Sequence, residues 1–296
     1  MLWIIQNNLY NEEGYVRFTE ALERLGAEYM IVKPIPFTNQ FLPADFDSWT
    51  EEVDDVEEPF IDDNQKVIVM GATSLTRIAK ARGWTPGTYL TDSFDFEKWR
   101  DGFGKENLLN GESITARISE GFDVTNMSDQ LFVRPVDDSK AFAGVVMSKY
   151  DFFDWVQSMS VIEEEEFQPL HKNTKIAVAN WKHINAEYRL FVVRGKVVTA
   201  SLYKQGNVVR YSDIVDNDVL WFAACMIRMW QPAPAFVIDI ADTTDGFKVI
   251  EINNINSAGF YAADCQKIVA AIEDLERFDY DFKEGQQGIQ LTSWQW

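Results

Sequence analysis

The chain has 296 residues, enough for a large core or for two or three subdomains sharing one cleft, and 46% hydrophobic with 14% aromatic content marks it as globular. With 27 Lys and Arg against 47 Asp and Glu the net charge is −20, so the field of the whole molecule repels a phosphate backbone and excludes nucleic acid as a main partner. Cys225 and Cys265, both in apolar helix-like contexts, and two histidines exclude a disulfide framework, a zinc site and a His-rich metal site.

The opening MLWIIQNN has too short an apolar run for a signal peptide and no basic start, and no later stretch has the length of a membrane span. The expectation is a soluble, cytoplasmic protein. Residues 2 to 6 read as a buried strand. A helix follows from about Glu12 to Leu25, with Tyr15, Phe18, Leu22 and Leu25 on one face and Gly26 as its C-cap. Tyr29–Val32 and Lys66–Met70 read as strands. GATSLTRIAKARG then offers a Thr or Ser cap, a short helix and Gly83 as its stop. This order predicts a small α/β unit with a parallel sheet. The acidic stretch from Phe37 to Asn64 reads as solvated loop, and Trp84–Gly121 as a connecting region.

Leu131–Val136 is a strand with Arg134 in its middle, followed by a polar loop, DDSKAFAG, that carries Lys140. By itself Arg134 reads as an edge residue or half of a salt bridge; ahead of a polar, Gly-ended loop it also fits a segment that folds over phosphates. A helix is predicted over Tyr150–Met159 and a strand over Lys175–Asn180. Glu187–Tyr203 reads as a hairpin with a three-residue loop, Val193-Arg194-Gly195. That register pairs Arg189 with Thr199 and Glu187 with Ser201, and gathers the polar residues on one face. Asp216–Trp230 reads as a helix, and a closing helix runs from about Tyr261 to Arg277.

Phe236–Tyr261 is a further hairpin. With Thr244-Asp245-Gly246 as a three-residue loop, Asp239 lies opposite Glu251, and Asn253 shares their face; a two-residue loop would put the two acids on opposite faces. Two carboxylates and an amide oxygen from adjacent strands suit Mg²⁺ shared with phosphates. The same residues also read as the acidic outer face of a hairpin in an acidic protein.

Taken in order, Arg134, the Glu187-x-Arg189 strand with its return strand, Asp239 and Glu251-Ile252-Asn253 resemble the ATP-grasp superfamily over about Asp129–Asp279. Arg134, standing where many members carry a lysine, resembles a phage-type branch with an arginine and lysine exchange at the nucleotide site. The resemblance implies an α+β fold in which two α+β subdomains grip ATP, preceded by a small parallel-sheet domain. Residues 1–110 would form the preceding domain and 111–296 the grasp, divided into about 111–172 and 173–296. It implies ATP and Mg²⁺ as cofactors, with Asp239, Glu251 and Asn253 holding the metal. Arg134 and Lys140 would hold phosphates, and Arg189 the acyl phosphate or γ-phosphate. Glu187 would orient Arg189 or help hold metal, and Asn180, Trp181 and Lys182 would lie by the adenine. Val237 stands where many members have an arginine two residues before the metal Asp; Arg189 and Arg210 could supply that charge.

The activity so implied is a ligase joining a carboxylate to an amine on a small molecule or peptide, through an acyl phosphate. Two other readings stand beside it. One is a kinase on the same site. The other is a phage-type protein that binds a host factor with its acidic surface. No nucleic acid and no membrane enters any of them.

Overall fold

The computed structural model describes residues 1–7, 13–35, 38–46, 57–62, 64–136, 141–165, 170–278 and 280–283. The N-terminal part builds a sheet from β1 (Leu2–Gln6), β2 (Glu28–Pro34), β3 (Phe41–Pro43), β4 (Val67–Met70) and β5 (Pro86–Gly87), with α1 (Glu13–Leu25) and α2 (Thr73–Arg82) between strands. The strand order is β3-β2-β1-β4-β5, and β1 runs parallel to both β2 and β4. Every residue of β1 is buried, as a near-continuous apolar run requires when both faces of a parallel sheet are covered.

α1 packs through Phe18, Ala21 and Leu22 and ends where Gly26 takes φ 65°, letting Ala27 donate its N–H to the Leu22 carbonyl at 3.0 Å. Leu25, expected on the packed face, is instead exposed. α2 has no Thr or Ser side-chain cap: its N-cap is Ala72, whose N–H is taken by the Gln6 side chain at 2.8 Å. Gly83 ends it at φ 68°.

The connecting region contains more structure than its sequence shows. α3 (Phe96–Phe103) buries Phe96, Trp99 and Phe103, capped by Asp95 accepting from the Glu97 N–H. A Cβ at Gly102 would lie 2.5 Å from the Trp230 ring, so only glycine permits this approach. β6 (Ile114–Arg117), β7 (Gln130–Pro135), β8 (Val145–Ser148) and β9 (Lys175–Asn180) form a four-stranded sheet, order β6-β9-β7-β8, with antiparallel pairing throughout. α4 (Lys149–Met159) covers it through Phe152, with Ser148 as N-cap.

The third sheet comprises β10 (Ala186–Val193), β11 (Lys196–Gln205), β12 (Val208–Ser212), β13 (Ala235–Thr243) and β14 (Gly246–Asn253), order β12-β11-β10-β13-β14, again antiparallel. α5 (Asn217–Met229) lies between β12 and β13 in the chain, and α6 (Cys265–Arg277) closes it; both pack on this sheet. α6 also ties the sheet to the N-terminal unit: Trp3 Nε1 donates to Glu273 and the Tyr89 hydroxyl to Glu276, each at 2.7 Å. Fully buried Asn256 is a second tie, donating to the Val69 carbonyl at 2.8 Å and accepting from the Tyr89 N–H at 2.9 Å.

Both hairpins correct the expected loops. Thr243 pairs with Gly246, so the β13–β14 loop is Thr244-Asp245 and not three residues. The two acids still share a face, because the register shifts once between Asp239 and Ile240 and leaves Ile250 as an extra residue on β14. A bulge does what the longer loop was expected to do. In the β10–β11 hairpin Val193 pairs with Lys196 across Arg194-Gly195. Both loop residues have positive φ, 51° and 69°, as the turn matching strand twist requires. A register shift between Phe191 and Val192 leaves Val198 extra, so that Arg189 faces Ser201, and a second shift between Glu187 and Tyr188 puts Glu187 opposite Lys204. For Arg189 the shift is of two residues, which preserves its face.

Candidate functional site

A cavity of about 540 Å³ opens between the four-stranded sheet and the C-terminal sheet. One wall carries Phe132, Arg134, Phe142 and Val146; the other carries Glu187, Tyr203, Lys204, Glu251 and Asn253. Leu109, Trp181, Lys182, Ile184 and the bulge residue Ile250 are among the other lining residues. Leu109 reaches this place because its N–H is held by the Val249 carbonyl at 2.8 Å. The wall is mixed in character, with flat apolar side chains and both signs of charge, which is what a nucleotide with a base at one end and phosphates at the other needs.

Arg189, Asp239 and Glu251 stand in one row across β10, β13 and β14, each directly opposite the next. Arg189 and Asp239 lie behind the lining, 8% and 1% exposed. Arg189 grips the carboxylate with two bonds, Nε to Oδ1 at 2.9 Å and Nη2 to Oδ2 at 2.7 Å. Burial pushes the Asp239 carboxyl up to about 6, Arg189 pulls against that shift, and Glu251 adds to it. For Arg189 burial acts to release the proton, but the Asp239 charge outweighs it and holds the guanidinium above its ordinary range. The pair is ionic at neutral pH.

Asn253 Nδ2 sits between the two acids, 2.9 Å from Glu251 Oε1 and 3.4 Å from Asp239 Oδ2. A positive hydrogen there marks the point that both carboxylates favour for a cation. Mg²⁺ takes a few hard oxygens from protein and the rest from water and phosphates. The donors present fit that pattern: the Glu251 carboxylate, the lone pairs of Asp239 that Arg189 leaves, and Asn253 once its amide turns its oxygen inward. Among the described residues no group of three or more His, Cys, Asp or Glu side chains could hold a metal alone.

Arg134 crosses the cleft, its Nη1 3.3 Å from Glu251 Oε2, and lies over the Trp99 ring at 5.6 Å. Glu187 does not touch the Arg189 ion pair; it accepts from the Tyr203 hydroxyl at 2.8 Å and from Lys204 Nζ at 2.7 Å. Successive residues of one strand reach the same carboxylate because the β10–β11 register shifts between Glu187 and Tyr188, leaving Tyr203 extra. Trp181 is half-exposed and lines the cavity with Lys182. Burial lowers the Lys182 ammonium below its ordinary range, and Lys248 adds to the shift. Asn180 is not part of the lining; its Oδ1 accepts from the Ser128 N–H at 2.8 Å. Lys140 lies outside the described residues.

Sequence reasoning missed Lys204 and Leu109 as parts of the wall. Strict alternation puts Lys204 with the apolar Leu202, and only the bulge turns it into the cleft. For Leu109 the sequence carries no local signal.

The family model described as ATP-grasp domain, family 3 of the R-to-K clade, matches residues 51–272, well over half of the chain. Among solved structures the chain is similar to D-cycloserine synthetase DcsG, with a TM-score of 0.59 at 10% identity, covering 92% of this chain and 98% of that one. It is likewise similar to D-alanine–D-alanine ligase from Bacillus anthracis complexed with ATP, with a TM-score of 0.58 at 11% identity and coverage of 93% and 97%. The ATP-grasp ligase PsnB complexed with a minimal precursor gives 0.55 at 14% identity, with coverage of 92% and 98%. No curated protein sequence matches. The chain has the ATP-grasp fold and belongs to the ATP-grasp domain family, in family 3 of its R-to-K clade.

Proposed function

We propose that this protein is an ATP- and Mg²⁺-dependent ligase that joins a carboxylate to an amine through an acyl phosphate. The observation that carries the reading is the cross-strand row of Arg189, Asp239 and Glu251, with Asn253 between the acids and Arg134 and Lys204 on the cavity walls. Phosphoryl transfer from a nucleotide is mostly positioning and charge stabilisation, and this wall offers both. The folds it resembles include a D-alanine–D-alanine ligase complexed with ATP and an ATP-grasp ligase complexed with a precursor.

Glu251 and Asn253, backed by Asp239, would hold Mg²⁺, which when bound neutralises phosphate charge. Arg134, Lys182 and Lys204 supply fixed positive charge along the cavity, and Phe132, Phe142 and Trp181 supply flat surface for a base. Arg189 fixes Asp239 and also donates to the Gly259 carbonyl at 3.3 Å, so it links the metal side to the segment after β14.

The test is ADP release from ATP in the presence of carboxylates and amines, separately and together. Release that needs both, with an amide product by mass spectrometry, supports ligation. Phosphorylated product without amide would replace the ligase by a kinase, and no nucleotide turnover or binding by the wild type would end the reading.

A further inference from the structure

Tyr203, Tyr261 and Tyr211 form one stack beside the Arg189–Asp239 pair. Tyr203 and Tyr261 have ring centroids 4.9 Å apart at 21°, and Tyr261 and Tyr211 lie 5.2 Å apart at 29°. The Arg189 guanidinium lies 4.8 Å from the Tyr261 centroid and 5.7 Å from that of Tyr203. The backbone is shaped around these rings. β11 changes register against β10 at Tyr203, and against β12 between Leu202 and Lys204, opposite Tyr211; such bulges re-aim side chains and concentrate next to active sites. Tyr261 has φ 49°, a left-handed conformation that bulky L-residues seldom adopt and that clusters at ligand clamps. Arg17 of α1 fastens it, donating to the Tyr261 carbonyl and, at 3.2 Å, to that of Ala263.

The roles of the rings differ. Tyr203 is half-buried between its neighbours with its hydroxyl on Glu187. Tyr211 is the outer ring, 57% exposed, so the stack ends on an open aromatic face. The cation that suits such rings is already present as Arg189, which leaves a further flat ring as the group that extends the stack.

We propose that Tyr211, backed by Tyr261 and Tyr203, is a stacking subsite for a planar aromatic ring carried by a substrate of the neighbouring site. The proposal rests on the ligase reading only in calling the ring-bearing molecule a substrate; the stack stands on its own geometry.

The experiment is calorimetric titration of the full chain, with Mg²⁺ and the ATP analogue AMP-PNP, using L-phenylalaninamide and L-cyclohexylalaninamide as probes. Both carry the ammonium, and only one carries an aromatic ring. The expected result is tighter binding of the aromatic probe by about tenfold, a factor in the range stacking supplies. Tyr211→Ala abolishes that preference, and Tyr211→Phe keeps it. Equal binding of the two probes, binding of neither, or a preference that survives in Tyr211→Ala overturns the subsite. AMP-PNP is titrated in the same samples. Wild type that prefers the aromatic probe without taking up AMP-PNP keeps the subsite and overturns the ligase reading instead.

Discussion

Arg189 and Asp239 face each other across β10 and β13 and share two hydrogen bonds, of 2.9 and 2.7 Å, with almost no solvent around them. This places a neutralised ion pair directly behind the Glu251 carboxylate that faces the cleft. Breaking a buried pair from one side strands the other charge. Arg189→Met is therefore expected to destabilise the fold by about 3–5 kcal/mol, while Arg189→Met with Asp239→Leu recovers most of that loss. Denaturant unfolding followed by tryptophan fluorescence measures both. A single Arg189→Met variant as stable as wild type would mean that the pair is not the strut described.

Lys204 and Tyr203 converge on Glu187 through the bulge in β11. Lys204→Met removes a cavity charge while leaving the sheet core intact. Nucleotide affinity is expected to fall by about 10- to 150-fold, as for loss of one charge-assisted contact of the kind worth about 1.5–3 kcal/mol. The thermal midpoint should move little. Calorimetric titration of AMP-PNP checks the first and a melting curve the second; unchanged affinity would place Lys204 outside the nucleotide site.

Burial and Lys248 lower the ammonium of Lys182, a cavity-lining residue whose amine donates to the Leu109 carbonyl. A phosphate group brought nearby favours the charged form and raises that pKa again. The sign follows: wherever the lowered ammonium is partly deprotonated, nucleotide binding takes protons up. Titrations at about pH 9, on the flank of the ordinary lysine range, in buffers of different ionisation heat should show this uptake in wild type and not in Lys182→Met. Proton release, or uptake unchanged in the variant, contradicts the placement.

Asn256 joins the C-terminal sheet to the N-terminal one through the Val69 carbonyl and the Tyr89 N–H, with no exposure. Asn256→Ala leaves those backbone groups unpaired in the interior, at a cost of about 1–3 kcal/mol for each buried group. Increased hydrogen exchange is expected at Val69–Gly71 and Tyr89 before other parts of the sheets open. A uniform change across the chain would mean that the joint is not local.

Much of this architecture is legible in the sequence, and the failures have definite physical causes. Period-two alternation places Asp239, Glu251 and Arg189 on their strands, because face parity survives any even error in register. The loop lengths are wrong because a bulge and a one-residue change of loop have the same effect on parity, and Ile250 carries no signal that distinguishes them. α3 is eight residues with aromatic contacts supplied by distant segments, including Trp230 against Phe103. β12 is exposed along nearly its whole length and so shows no alternation to read. Lys204 and the tyrosine stack depend on bulges and on a loop anchored by Arg17, all of them tertiary features.

The proposed chemistry depends most directly on the metal-dependent nucleotide site at Glu251 and Asn253. Titrating AMP-PNP into wild type and into Glu251→Gln, each with and without Mg²⁺, tests it in one experiment. Binding by wild type is expected to require Mg²⁺ and to be lost in Glu251→Gln while the fold is retained. Absence of binding by wild type, or Mg²⁺-independent binding that Glu251→Gln leaves unchanged, would contradict it.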